Sequence, residues 1–342
     1  MSELGEVETR TVTPEDGGSR VDRWFKRHYP GLPFGQLAKL LRTGQVRVDG
    51  KRVKAGTRVS AGQAVRVPPL PDSARTAPAP SAASTGRHSP HAADPATVAA
   101  LHDGVLYRDA WVLALNKPPG LATQGGSGVA ESVDGLSEHL RFEASTRPKL
   151  VHRLDKDTSG VLLLGRRVDA TDALARAFRG RDAHKIYWAL IAGTLKPRAG
   201  RIDSPLSKQK RGGGEKMGHD PEGQSAITAY AVVATAHPGI SWVALSPLTG
   251  RTHQLRVHMA ELGTPILGDG KYGGKAAFPE RLPRGMPPVE SLHLHAHEIA
   301  VPHPDDGTTL RLTAPLPPKM AASFAALGFD PARGADVDPA AT

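Results

Sequence analysis

The 342-residue chain contains no cysteine. That excludes a disulfide framework, a thiolate nucleophile and any Cys-ligated metal. It is compatible with a reducing compartment. No apolar run approaches the roughly 18 residues of a membrane-spanning helix. The opening, MSELGEVETRTVTPEDGG, is polar and acidic and has none of the apolar core of a secretory signal. A soluble, cytoplasmic protein with no membrane partner is therefore expected. Acidic residues are also in short supply, 34 against 44 Lys and Arg, for a formal net charge of +10. An excess of this size points to a polyanionic partner, nucleic acid before anionic membrane. Hydrophobic residues, at 39%, suffice for a substantial core.

The charge is concentrated. Residues 21–66 hold eleven Lys and Arg against two acids, a net +9. The same segment is patterned. Val21, Trp24, Phe25 and His28 fall at i, i+3, i+4 and i+7, a helical stripe; Phe34, Leu37, Leu40 and Leu41 repeat it, and Gly44 is a natural stop. Val46, Val48 and Val53 then alternate around Asp49-Gly50, a hairpin signal, and QAVRVPP adds a strand. Two short helices followed by a small basic sheet, carried by LLRTGQVRVDGKRVKAGTRVSAGQAVRV, resemble the S4-type RNA-binding domain. The resemblance implies RNA contacts by Arg23, Lys39, Arg42, Arg47, Lys51, Arg52 and Lys54.

Residues 1–20 are expected to be disordered, 21–68 to form the basic module, and 69–99, rich in Pro, Ala and Ser, to be a flexible linker. Residues 100–326 read as a larger domain and 327–342 as a loose tail. In the larger domain, strand-like runs come in hairpin-like pairs with occasional helices, not in regular βα alternation. That favours an α+β domain on a largely antiparallel mixed sheet. SKQKRGGGEKMG, residues 207–218, is expected to be a mobile basic loop.

VHRLDKDTSG, residues 151–160, packs seven polar residues between apolar runs. Three chemistries are open to it. Ser159, His152 and Asp155 could form a hydrolytic triad, although no GxSxG context surrounds Ser159. His152, Asp155 and Asp157, or the alternating His293, His295 and His297, could hold a metal, although no clear carboxylate partner set accompanies them. Asp155 could also act alone as a carboxylate steered by arginines.

The third option gains support further along. HRLDKDTSGVLLL, KIYWALIAG, PLTGRTHQLRVHMAELGTPILGDGKYG and LHLHA together resemble the RluA family of RNA pseudouridine synthases. The pattern H-R-L-D-x-x-T-S-G is matched by His152, Arg153, Leu154, Asp155, Thr158, Ser159 and Gly160, and G-R-T-H-Q-L-R-V-H by Gly250 to His258. The resemblance spans about residues 104–316. It implies an isomerase that breaks the N1–C1′ bond of uridine, turns the base, and joins C5 to C1′. No atom is gained and no redox change occurs, so no cofactor and no metal are expected.

On the family's pattern Asp155 is the catalytic carboxylate, acting by attack at C1′, by attack at C6, or by proton abstraction from the sugar. Arg256 would pair with it, and Tyr187 would stack on the base. His152 and Arg153 are substrate-binding positions, with Arg153 gripping the displaced nucleotide. Arg251 and His253 would position the loop or meet phosphate, and Leu294 would wall the pocket. Thr158 and Ser159 would satisfy backbone groups of the loop, and Lys117-Pro118-Pro119-Gly120 reads as a structural turn. The S4-like module and GGSG (125–128) look most like the members acting on large-subunit 23S ribosomal RNA, which makes that RNA the expected partner of a monomeric enzyme. The alternative is a non-catalytic RNA-binding or ribosome-assembly factor, against which the joint presence of Asp155, Tyr187 and Arg256 argues.

Overall fold

The computed structural model describes residues 7–71, 74, 93–126, 129–180, 182–211, 214–236 and 239–341. The chain divides into two compact units, 1–89 and 90–342.

In the first unit, strand β1 (Glu8–Thr11) precedes helices α1 (Val21–His28) and α2 (Phe34–Arg42), then strands β2 (Arg47–Val48), β3 (Lys51–Arg52) and β4 (Ala64–Val67). The four strands form one sheet in the order β1-β4-β2-β3. The helical stripes do what their spacing requires. Val21, Trp24 and Phe25 of α1 and Leu37 and Leu41 of α2 are buried against Val46, Val48, Val65 and Val67. Phe34 departs from its stripe and is 64% exposed. Asp49 and Gly50 both take positive φ, 46° and 74°, which makes the tight turn between β2 and β3. Arg23, Lys39, Arg42, Arg47, Lys51, Arg52 and Lys54 are all exposed.

Two boundaries need correction. The stretch 1–20, expected to be disordered, contains β1, whose residues Glu8–Thr11 pair antiparallel with Ala64–Val67, and Val12 is fully buried behind it. A polar edge strand is held by backbone bonds to its neighbour, so its sequence carries little apolar signal. The expected linker also starts late and ends early: Leu70 and Ala74 join the first core, and helix α3 (Pro95–Asp103), capped by the Asp94 side chain, already belongs to the second unit. The middle of that linker, 75–92, lies outside the described residues.

The second unit is built on a ten-stranded sheet. Its members are β5 (Val105–Arg108), β6 (Val112–Lys117), β7 (Lys149–Leu150), β8 (Ser159–Gly165), β9 (His184–Ala192) and β10 (Ala199–Asp203), with a separate hairpin of β11 (Leu206–Arg211) and β12 (Gly214–His219). The sheet continues with β13 (Ile227–Ala236), β14 (Ile240–Pro247), β15 (Leu294–Pro302) and β16 (Thr309–Thr313). Helices α4 (Val133–Leu136), α5 (Val168–Gly180), α6 (Gln254–Glu261) and α7 (Pro318–Ala326) complete it. The main path runs β10-β13-β14-β9-β15-β8-β6-β5, with β16 beside β15 and β7 beside β8. Every pairing is antiparallel except β15 with β8. The expectation of a largely antiparallel mixed sheet matches this topology.

Both faces are covered, following the strands' period of two. Along β14, Val243 and Leu245 meet Leu255 and Met259 of α6, while Trp242 and Ala244 meet Met320 and Phe324 of α7. Along β8, Leu162 and Leu164 pack with α3 and α4 residues, and Val161 and Leu163 pack with Leu174 of α5. The expected mobile loop at 207–218 is instead the β11–β12 hairpin, paired from Leu206↔His219 to Arg211↔Gly214. The tail is not loose either. Phe329 is buried among Trp242 and Phe324, Gly334 lies so close to Trp242 that a side chain there would collide with the ring, and His184 pairs with Asp338 at 3.1 Å. A few well-placed apolar residues seat a segment whose average composition is that of a loop.

Candidate active site

The parallel junction of β8 and β15 organises the site. Gly160 sits there at φ +112°, and a Cβ at this position would collide with the Ala296 carbonyl. Only glycine lets the two strands approach so closely. The loop entering β8 carries Asp155, and the residue opening β15 is Leu294. Tyr187 lies across from Ala296 on the adjacent β9, and the turn leading from β14 into α6 brings Arg251, His253 and Arg256.

The Asp155 loop is tied down along its length. Leu154 exchanges two hydrogen bonds with the buried Thr123 hydroxyl: its amide donates at 3.1 Å, and its carbonyl accepts at 2.7 Å. Lys117 is fully buried, and its ammonium donates to the carbonyls of Pro118, Leu121 and Lys156 at 2.8, 2.8 and 3.0 Å. Three acceptors use all three donors of a charged ammonium. Burial nevertheless pulls its pKa down to about 7, with Asp157 and Asp155 opposing the shift. His152 stacks on Phe178, and its Nε2 accepts the Leu163 amide at 2.9 Å. Burial, aided by Lys185, lowers its pKa to about 3, so the ring is neutral.

These bonds close the other two readings of the loop. Ser159 hydrogen-bonds His295 Nδ1 at 2.8 Å, not His152, so no triad forms. His293 bonds Ser291 and Ser323, and His295 bonds Ser159 and Ala314. A register shift between Ala296 and Glu298 breaks the alternation on which the three-histidine face depended. Among the described residues no group of three or more His, Cys, Asp or Glu side chains is placed to hold a metal.

Asp155 opens into a cleft of about 790 Å³ whose lining includes His152, Arg153, Tyr187, Arg251, His253, Arg256 and Leu294. Every substrate-facing residue expected from the sequence thus borders one cavity. The Asp155 side chain is 21% exposed; Arg256 Nη1 and His253 Nε2 each lie 3.7 Å from its Oδ2. Both separations are too long for a hydrogen bond. Tyr187 is half-buried, and its pKa is raised by burial and by the nearby Asp155 charge, so the phenol keeps its proton. Arg153, Arg179, Lys185 and Arg251 put positive charge around the cleft.

Sequence reasoning missed the residues behind this front. Arg256 makes a two-pronged hydrogen bond to the buried Asp269, at 2.8 and 2.7 Å, and its guanidinium lies 5.2 Å from the Tyr272 ring centre. Asp269 therefore holds Arg256 more closely than Asp155 does. Gln254 is buried and knits the turn: it accepts from the Thr249 hydroxyl and the Arg251 amide and donates to Ile227 and Thr228. The signal for Asp269 was present as a lone acid in the apolar, glycine-rich stretch PILGDG.

Residues 111–261 match the family model described as RNA pseudouridylate synthase. The chain is 35% identical over 316 residues to ribosomal large subunit pseudouridine synthase C of Escherichia coli strain K12, an alignment covering 92% of this chain and 95% of that protein. This chain belongs to the RNA pseudouridylate synthase family. The enzyme of the same name from Pasteurella multocida strain Pm70 is 34% identical, with 94% of each chain covered. Among solved structures, human RNA pseudouridylate synthase domain containing 4 superposes with a TM-score of 0.55 at 30% identity, covering 68% of this chain and 96% of that one. The chain is accordingly a pseudouridine synthase, an isomerase, and the matched region contains the Asp155 loop, Tyr187 and Arg256.

Proposed function

We propose that this pseudouridine synthase isomerises uridines of large-subunit 23S ribosomal RNA and that Asp155 is its catalytic carboxylate. The observation that carries the reading is the Asp155 setting: a carboxylate open to a cleft, with Arg256 and His253 3.7 Å away and, among the described residues, no hydrogen bond tying it down. The relatives' printed name supports the choice of RNA.

In this reading the target uridine leaves its stack and enters the cleft. Tyr187 stacks on the base, a contact worth about 1–3 kcal/mol. That is comparable with the few kcal/mol needed to extrude a base. Leu294 forms the apolar wall, and Arg153 holds the displaced strand. Arg251 meets phosphate together with two residues the sequence reading passed over, Arg179 and Lys185. Arg256, fixed by Asp269, supplies positive charge beside Asp155 throughout the reaction. His152 acts by pinning the loop, since its acceptor nitrogen is already occupied. Lys117 and Thr123 set the height of the Asp155 backbone.

The first unit acts as an S4-type RNA-binding module. Its exposed arginines and lysines neutralise phosphates irrespective of sequence. No helix of the described chain is long and apolar enough to cross a membrane. Action in the cytoplasm, as a monomer, completes the proposal.

The test is chemical mapping of pseudouridine in ribosomal RNA from cells with and without the gene. Loss at one or a few large-subunit uridines is expected. An unchanged map of the large subunit would overturn the assignment of substrate.

A further inference from the structure

Tyr272 does not line the cleft itself but stands behind two residues that do, His253 and Arg256. Its hydroxyl joins the start of α6 to strand β12, which also pack together through Val257 and Met217. It hydrogen-bonds His253 Nδ1 at 2.6 Å and accepts the Met217 backbone amide of β12 at 3.3 Å. Its own amide donates to Asp269 Oδ1 at 3.2 Å, and Asp269 in turn clamps Arg256. Tyr272 is therefore bonded to one of the two side chains nearest Asp155, His253, and to the support of the other, Arg256.

The hydrogen bonds at this node favour one tautomer of the histidine. A tyrosine hydroxyl has one proton to give. Burial raises the Tyr272 pKa, so the proton is retained. One oxygen lone pair is taken by the Met217 amide, and the nearest acceptor for the proton is His253 Nδ1. A neutral imidazole that accepts at Nδ1 carries its hydrogen on Nε2. Nε2 is the atom 3.7 Å from Asp155 Oδ2. The opposite tautomer would set a bare nitrogen lone pair against a carboxylate. His253 is neutral in this setting: burial lowers its pKa, with Arg256 and Lys271 adding to the shift and Asp155 and Asp269 opposing it. Its backbone is fixed as well, in the left-handed region at φ 55°, ψ 19°.

We infer that Tyr272 is a positioning residue that locks His253 in the Nε2–H tautomer, so that a neutral N–H is aimed at the Asp155 carboxylate. The 3.7 Å separation shortens to a hydrogen bond when RNA fills the cleft, as such contacts commonly do on substrate binding. Because Tyr272 also bears the Met217 amide, the β11–β12 hairpin is coupled to the same node. The exposed Lys208 and the Lys216 that caps the Lys271 carbonyl at 2.8 Å lie on that hairpin. RNA seated on the hairpin thus bears directly on the histidine.

The inference rests on the reading of Asp155 as catalytic, but its first test does not. Nitrogen-15 spectra of the His253 ring in the free protein should show a protonated Nε2 and a pyridine-type Nδ1 between pH 6 and 8. A protonated Nδ1 across that range would overturn the inference whatever Asp155 does. The second test is a cycle with Tyr272→Phe and His253→Gln. The glutamine amide nitrogen reaches the Nε2 position and always carries hydrogen, so it needs no tautomer lock. Tyr272→Phe alone should lower kcat on the order of 10-fold to 100-fold, the cost of a misplaced reacting group, with KM nearly unchanged. In the His253→Gln background the same change should cost less than about threefold, a clear departure from additivity. Equal losses in both backgrounds would make Tyr272 a merely structural residue and would overturn the inference.

Discussion

Arg256 gives both prongs of its guanidinium to Asp269, at 2.8 and 2.7 Å, and meets Asp155 only from the side, at 3.7 Å. Two carboxylates thus share one arginine unequally. The buried Asp269 fixes its position, and in the proposed reaction the partly exposed Asp155 uses its charge. An arginine bound rigidly to the reacting carboxylate would tie up the oxygens needed for chemistry. The division of labour keeps the charge in place and the carboxylate available.

Asp269→Asn should therefore damage both stability and catalysis. It leaves a buried guanidinium without its counter-charge, a loss of about 3–5 kcal/mol by the usual cost of breaking a buried pair. Urea unfolding should show the lower midpoint, and kcat should fall at least about tenfold as Arg256 drifts. Wild-type stability in Asp269→Asn would mean that the pair does not anchor Arg256.

Gly160→Ala should disrupt the junction on which the site is built. The residue is held at φ +112°, and the added methyl meets the Ala296 carbonyl. A loss of more than about 3 kcal/mol is expected, because strain and overlap combine. Soluble expression and thermal unfolding measure it. An unchanged melting temperature would contradict the close β8–β15 approach.

Acid should unfold the second unit through its neutral histidines. Burial lowers the pKa of His152 to about 3 and those of His295 and His297 to about 4. The unfolded chain binds their protons near pH 6.5, so it holds more protons than the folded chain between pH 6.5 and 4. Stability therefore falls as pH falls through that window, by about 1.4 kcal/mol per pH unit for each histidine. Denaturant titrations from pH 7 to 4 test this. A flat profile would contradict the buried neutral state.

RNA binding should weaken steeply with salt, because the contribution proposed for the first unit is counterion release. Replacing Lys51, Arg52 and Lys54 together by glutamate should lower affinity. It should also reduce the slope of log affinity against log salt, by about one for each phosphate no longer neutralised. Filter binding at several salt concentrations measures both. An unchanged slope would remove those residues from the RNA interface.

Most of the residues that line the cleft were legible from sequence because their motifs are dense and local; Arg179, outside those motifs, and Lys185 were not. Asp155, Tyr187, Arg256 and their companions border one cavity, as the resemblance to the family implied. The supporting residues were not legible, because their meaning depends on long-range contacts. Asp269 becomes informative only once α6 brings Arg256 against it, and Lys117 reads as part of a turn until the Lys156 carbonyl arrives from 39 positions away. The two helices and the hairpin of the first unit followed from apolar periodicity and the Asp49-Gly50 turn. The segments misjudged were those where composition spoke against order: the polar strand β1, the glycine-rich β11–β12 hairpin and the C-terminal tail. In each, backbone pairing or one or two buried side chains, such as Phe329, outweigh the average.

The central claim is that the Asp155 carboxylate carries the isomerisation. The direct measurement compares purified wild-type protein with Asp155→Asn on large-subunit ribosomal RNA, reading pseudouridine formation and RNA affinity together. The amide keeps the shape but loses the charge. The account predicts undetectable product with RNA affinity within about threefold of wild type, since the phosphate contacts that dominate binding are untouched. Pseudouridine formed by Asp155→Asn at the wild-type rate would contradict it.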